Sequence, residues 1–101
     1  MENNLVEIRH TGELTFENTD IEFEMDYDFY SITGVAVCDI EVNQEAEPEV
    51  GFKRTYQLNG VDFMSFVVKS EANDVVLLGN GERARVKQDI ENYFDNLTQE
   101  L

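Results

Sequence analysis

The chain has 101 residues, 42% of them hydrophobic, and carries 22 Asp and Glu against 7 Lys and Arg, a formal net charge of -15 at neutral pH. That length suits one domain with one core, spanning residues 1–101, and that charge disfavours direct binding to nucleic acid or to an anionic membrane. The one cysteine, Cys38, rules out an internal disulfide, and its setting in Val35-Ala36-Val37-Cys38-Asp39-Ile40 reads as a small buried apolar residue. The opening Met1-Glu2-Asn3-Asn4 has no basic leader and no run of 18 apolar residues follows, so a reducing, cytoplasmic setting is expected.

Taken in chain order, hydrophobic residues first alternate at period two, the mark of half-buried strands. Val6 and Ile8 are expected to face Leu14 and Phe16 across His10-Thr11-Gly12, a three-residue hairpin loop, with Arg9 opposite Glu13. Asn18-Thr19-Asp20 reads as a turn. Ile21, Phe23, Met25, Tyr27 and Phe29 then alternate with Glu22, Glu24, Asp26 and Asp28 in the clearest strand of the sequence. Ser31 to Gly34 is expected to turn the chain into a strand from Val35 to Val42. Asn43 to Glu49 is polar, carries the one proline, Pro48, and reads as a loop.

Beyond it, Phe52, Tyr56 and Leu58 are expected to pair with Val61, Phe63 and Val67 through an Asn59-Gly60 turn. Arg54 falls on the same face and must reach an edge or a carboxylate. The segment 62–70 reads either as strand or as a helical turn capped by Asp62, with Val67 and Val68 favouring strand. Val75 to Leu78 is expected to be a short buried strand. Val86, Ile90, Tyr93, Phe94, Leu97 and Leu101 recur at three- and four-residue steps, one stripe of an amphipathic helix, with Asn80 as its N-cap. The expected fold is α+β: an antiparallel meander of about five to seven strands with the C-terminal helix packed on one face.

Charge distribution is the strongest functional signal. Between Arg9 and Lys53 there is no Lys or Arg, yet 12 of the 22 acids lie there. Same-side residues of a strand are about 6.8 Å apart, so Glu22, Glu24, Asp26 and Asp28 form a row of carboxylates. A four-residue turn at Ser31 to Gly34 would set Asp26 opposite Asp39 and Glu24 opposite Glu41. Like charges directly opposed are destabilising, so a surface that meets a basic groove competes with a merely solvated, edge-blunting face.

Other motifs carry less. Asp26-Tyr27-Asp28 lacks the glycine and the later glutamate of a calcium loop. Gly79-Asn80-Gly81-Glu82-Arg83-Ala84 has dinucleotide-fingerprint spacing, but only 17 residues follow, too few for a second parallel strand. Neither a metal nor another cofactor is expected. Arg83, Arg85 and Lys87 cluster at the helix start, against the macrodipole, and are expected to dock on carboxylates of this chain or of a second copy. His10 is the one histidine and no nucleophile motif accompanies it, so the chain is read as a non-enzyme.

The acidic alternating strands, the Pro-containing loop, the strand ending Leu58-Asn59-Gly60-Val61-Asp62 and the short amphipathic C-terminal helix together resemble small acidic uncharacterised proteins of tailed bacteriophages. That resemblance implies a host-interaction role of the anti-CRISPR or anti-restriction kind. The first expectation is an inhibitor or modulator, a DNA mimic, that fills the basic nucleic-acid channel of a partner enzyme through Glu22, Glu24, Asp26, Asp28, Asp39 and Glu41. The second is a self-associating structural or assembly protein, a homodimer for instance, using the Arg83 to Lys87 turn.

Overall fold

The clean alternation from Ile21 to Tyr27 does build a strand, and four strands and one long helix follow in chain order among the described residues. They are β1 (Leu5–Thr11), β2 (Asp20–Tyr27), β3 (Tyr30–Gln44), β4 (Thr55–Ser70) and α1 (Asn80–Gln99), with a 3-10 turn at Pro48–Val50. This computed structural model describes residues 4–101; Met1, Glu2 and Asn3, read above for a leader, lie outside the described residues. The strands form one antiparallel sheet in the order β1-β2-β3-β4. The fold is therefore α+β with a C-terminal helix, but with four strands in place of the expected five to seven.

Three local departures from expectation shape the sheet. First, β1 pairs with β2 and not with residues 13–17, so Arg9 lies opposite Glu24 and not Glu13. Residues 12–19 instead form a loop in which the Thr15 N–H donates to the Asn18 carbonyl and the Asn18 N–H to the Thr15 hydroxyl, Leu14 is buried and Phe16 packs on Tyr56 with ring centroids 5.3 Å apart. Second, the turn after β2 is Asp28-Phe29, and Ser31 to Gly34 already belong to β3. Third, Asn59-Gly60 is not a hairpin. Neither residue has the positive φ that a two-residue hairpin turn of this sequence requires, and β4 runs straight through them against a β3 long enough to pair with all of it.

β4 keeps its apolar side on the core by slipping twice. Asp39 pairs with Gly60 and Ile40 with Leu58, leaving Asn59 extra; Val35 pairs with Ser65 and Ala36 with Phe63, leaving Met64 extra. Each bulge resets the parity of the pleat, so Leu58, Val61, Phe63, Phe66 and Val68 all join the core although their spacing alternates between three and two. The segment 62–70 is thus strand. At the second bulge the Ser65 carbonyl approaches Gly34 so closely that a Cβ there would collide with it, which fixes the need for glycine.

The core side gathers Ile21, Phe23, Met25, Ile32, Ala36 and Cys38 against Val86, Ile90 and Phe94 of α1, all buried. Burying each large side chain contributes about 1.5–3 kcal/mol. Thr98, buried with its hydroxyl donating to the Phe94 carbonyl at 2.7 Å, closes the stripe where Leu101 was expected; Leu101 is exposed. Polar ties complete the docking: Tyr27 donates to Asp89 at 2.6 Å and Tyr30 to Glu82 at 3.2 Å. The helix begins after Gly79, with no side-chain cap, so Asn80 is its first residue and not its N-cap. Val75 to Leu78 is not a buried strand: Val75 and Leu77 are exposed, and a single bridge joins Val75 to Lys69.

β2 begins opposite Val37. Beyond that point β3 and β4 continue alone as a two-stranded arm, closed by the Pro48–Val50 turn and a Glu47–Phe52 bridge. The arm stretches the molecule to 57 × 24 × 20 Å.

Candidate acidic interface

The face of the sheet away from α1 is uncovered, and alternation on β2 directs Asp20, Glu22, Glu24 and Asp26 onto it. On β3 the same face carries Ser31, Thr33, Val35 and Val37 opposite these acids, then Asp39 and Glu41 beyond the end of β2. The expected like-charge pairing is therefore absent: Asp26 meets Ser31 and Glu24 meets Thr33, while Asp39 meets Gly60 and Glu41 is opposite Gln57, whose amide donates to it. The two-residue turn at Asp28-Phe29 shifts the register and relieves the repulsion that a four-residue turn would create.

What results is a staggered line. It runs down β2 from Asp26 to Asp20, steps across one strand at Val37, and continues through Asp39 and Glu41. Ten residue steps at about 3.4 Å give roughly 34 Å. Asp28 stands apart in the hairpin turn, where its carboxylate accepts the Asn4 backbone N–H at 3.0 Å and its own N–H donates to the Asn4 carbonyl at 3.1 Å; its role is to hold the start of β1.

The line also has one counter-ion, contrary to expectation. Arg9 reaches across from β1 to Glu24 at 2.7 Å, Asp26 at 2.8 Å and Glu7 at 2.9 Å. Its hydrogen bonds, to Asp26 first and then Glu24, hold the guanidinium above its usual pKa. The β1 end of the line is thereby partly neutralised. Glu22, Asp20, Asp39 and the neighbouring Asp62 of β4 make no ion pair among the described residues; the only other cation so engaged is Arg54, which meets Glu45 at 2.9 Å. Next to Arg9 the face dips into a depression of about 460 Å³ whose lining includes Arg9, Glu22, Glu24 and Thr33 with the apolar Val35 and Val67; of its two carboxylates, Glu22 is the one that Arg9 does not bind.

Asp20 and Asp62 were missed from sequence. Asp20 is legible, since it extends the two-residue step of Glu22, Glu24 and Asp26; Asp62 is not, because its face depends on where β4 slips.

The groups that carry nucleophilic or acid–base chemistry elsewhere are occupied here. His10 turns to the helix side, its Nδ1 2.5 Å from the Tyr93 hydroxyl and its ring edge-on to the Tyr93 ring. Burial, and secondarily Asp20, pushes the Cys38 thiol up to about 11. Among the described residues no group of three His, Cys, Asp or Glu is arranged to hold a metal ion, and no helix is long and apolar enough to cross a membrane. No family model, curated protein or solved structure matches the chain.

Proposed function

We propose that this chain is a non-enzymatic binding protein whose open sheet face occupies a basic groove of a partner enzyme, one built to hold a nucleic-acid backbone. The observation that carries the reading is the staggered carboxylate line: among the described residues its β3 half and Glu22 have no cation opposite them, on a face that no other described element covers. Carboxylates about 6.8 Å apart along a strand match every second phosphate of a strand that advances about 3.4 Å per nucleotide. Association through such a face is fast and weakens with salt, because long-range attraction steers encounter. An inhibitor of phage anti-defence type, working as a DNA mimic in the host cytoplasm, is the role this chemistry serves best.

Arg9 changes which acids matter most. Glu24 and Asp26 arrive at the partner already engaged, so Glu22 and Asp39 should supply more of the attraction. The test is affinity capture from a bacterial lysate with wild type, with Glu22→Lys/Asp39→Lys, and with the helix control Glu91→Lys/Asp95→Lys, which changes net charge equally. A nucleic-acid-binding partner should be held by wild type and control, bound roughly tenfold or more weakly by the face variant, and displaced by duplex DNA. Equal loss in both variants would mean that overall charge governs binding, and a ternary complex with DNA would rule out channel occupancy.

A further inference from the structure

On the edge of the molecule away from β1, the start of α1 and the end of β4 enclose an apolar trough. Its two halves, about 370 and 350 Å³, share Phe66 and Arg83; Phe63 and Lys87 line one, Val75 and Leu77 the other. Leu77 is 93% exposed, Val75 72% and Met64 68%, a concentration of bare apolar surface in a chain otherwise dominated by acids. Arg83, Arg85 and Lys87 rise beside it without an ion pair among the described residues. The nearest helix acids are already taken, Glu82 by Tyr30 and Asp89 by Tyr27. Cations at a helix start oppose the macrodipole, so the fold itself gains nothing from this cluster. Asp62 also lines the trough, but Arg83, Arg85 and Lys87 outnumber it, which favours an occupant that is apolar and acidic together.

One projecting segment of this chain has that chemistry. The arm tip exposes Val50 and Phe52, and Glu47 and Glu49 stand beside them without an ion pair among the described residues, while Glu45 is held by Arg54 behind the tip. A chain cannot seat its own tip: from Asp62, at the trough, to Thr55 is seven residues of strand, about 24 Å leading away from it. A second copy can. With two arms antiparallel and crossing near Leu58, midway between tip and trough, both contacts form at once in a closed twofold dimer.

We propose that this chain dimerises by seating each arm tip in the other copy's trough, Phe52 against Phe63 and Phe66, and Glu47 and Glu49 facing Arg83 and Lys87. The net charge of each copy opposes association, so the local match of sign has to carry it. The seated tip and trough use none of Glu22, Glu24 or Asp26, but the arms cross beside Asp39 and Glu41, so the charge reversals that test the contact are placed at tip and trough, away from the acidic line.

The experiment is the mass of the full chain by sedimentation equilibrium across a concentration series. Wild type should be a dimer. Arg83→Glu/Lys87→Glu and Glu47→Lys/Glu49→Lys should each raise the dissociation constant roughly tenfold or more, since every lost pair occurs twice, and the four changes together should restore the dimer. All four side chains are exposed, so circular dichroism should report a wild-type fold throughout. A wild-type monomer at every concentration overturns the proposal. So do oligomers that grow without limit, a dimer indifferent to both reversals, or a fourfold variant no tighter than its parents.

Discussion

Added sodium chloride should stabilise this protein, by an amount the register allows to be worked out. Glu22 neighbours Asp20 and Glu24 along β2; Asp39 neighbours Glu41 along β3 and lies diagonal to Asp20 and to Asp62, which both sit opposite Val37. Two unit charges about 7 Å apart repel by ~0.6 kcal/mol at the dielectric constant of water. A Debye length of about 10 Å at 0.1 M halves that, and one of about 3 Å at 1 M leaves roughly a tenth. Each contact is thus relieved by ~0.25 kcal/mol. The two diagonal contacts exist only in the folded sheet; the three along strands persist in part in an extended unfolded chain and count for about half. The sum is about 1 kcal/mol, or roughly 4–8 °C in Tm for a domain of this size. Glu22→Gln/Asp39→Asn removes all five contacts, so it should melt higher than wild type at 0.1 M and gain far less on going to 1 M. Glu91→Gln/Asp95→Asn, with the same charge change on the helix, should keep the wild-type response. If the three proteins gain equally in thermal melts, the acidic line is under no strain and the reasoning fails.

Two further outcomes follow from the core. Gly34→Ala should cost about 1–3 kcal/mol, because its Cβ meets the Ser65 carbonyl and lies 3.2 Å from the Phe23 ring; urea denaturation reads this as a lower midpoint at an unchanged slope. Cys38, with its thiol raised from 9.0 to about 11, should react with a thiol reagent at pH 8 about a hundredfold more slowly than in the urea-unfolded chain. The sign for stability follows: the folded pKa lies above the unfolded one, so the contribution is complete below pH 9 and is lost as pH rises toward 11. Cys38→Ala should flatten that alkaline decline in a pH series of melts, and an unchanged decline would assign it elsewhere, Tyr27 being the next group that burial raises.

The parts of the fold legible in the sequence were those where one residue decides one position. β2 was read from strict alternation, and α1 from the three- and four-residue recurrence of Val86, Ile90 and Phe94. β4 resisted because its two bulges turn a period of two into steps of three and two, so that Phe63 to Val68 imitates a helical turn capped by Asp62 and Asn59-Gly60 imitates a hairpin turn. No local signal separates a bulge from a hairpin there; the length of β3 decides. The acidic face itself was legible on β2, but its cross-strand register depended on whether the chain turned after two residues or four. That choice moved Asp39 and Glu41 out of opposition; Arg9 faces Glu24 for a separate reason, the pairing of β1 with β2 and not with residues 13–17.

The order of the elements also bears on how the protein is made. Each strand pairs with the one before it, so the sheet can assemble as the chain emerges, N-terminal part first. The element that covers its apolar side follows all four strands: Val86, Ile90 and Phe94 belong to α1. Until α1 emerges Phe23, Met25 and Ile32 have no lid, and an incomplete sheet of this kind is prone to stick to others of its kind. Its reverse side, however, is already charged from Asp20 to Asp26. Like charge on that side repels neighbouring incomplete sheets before the helix is in place, so the same carboxylates oppose sticking while the apolar side is still bare.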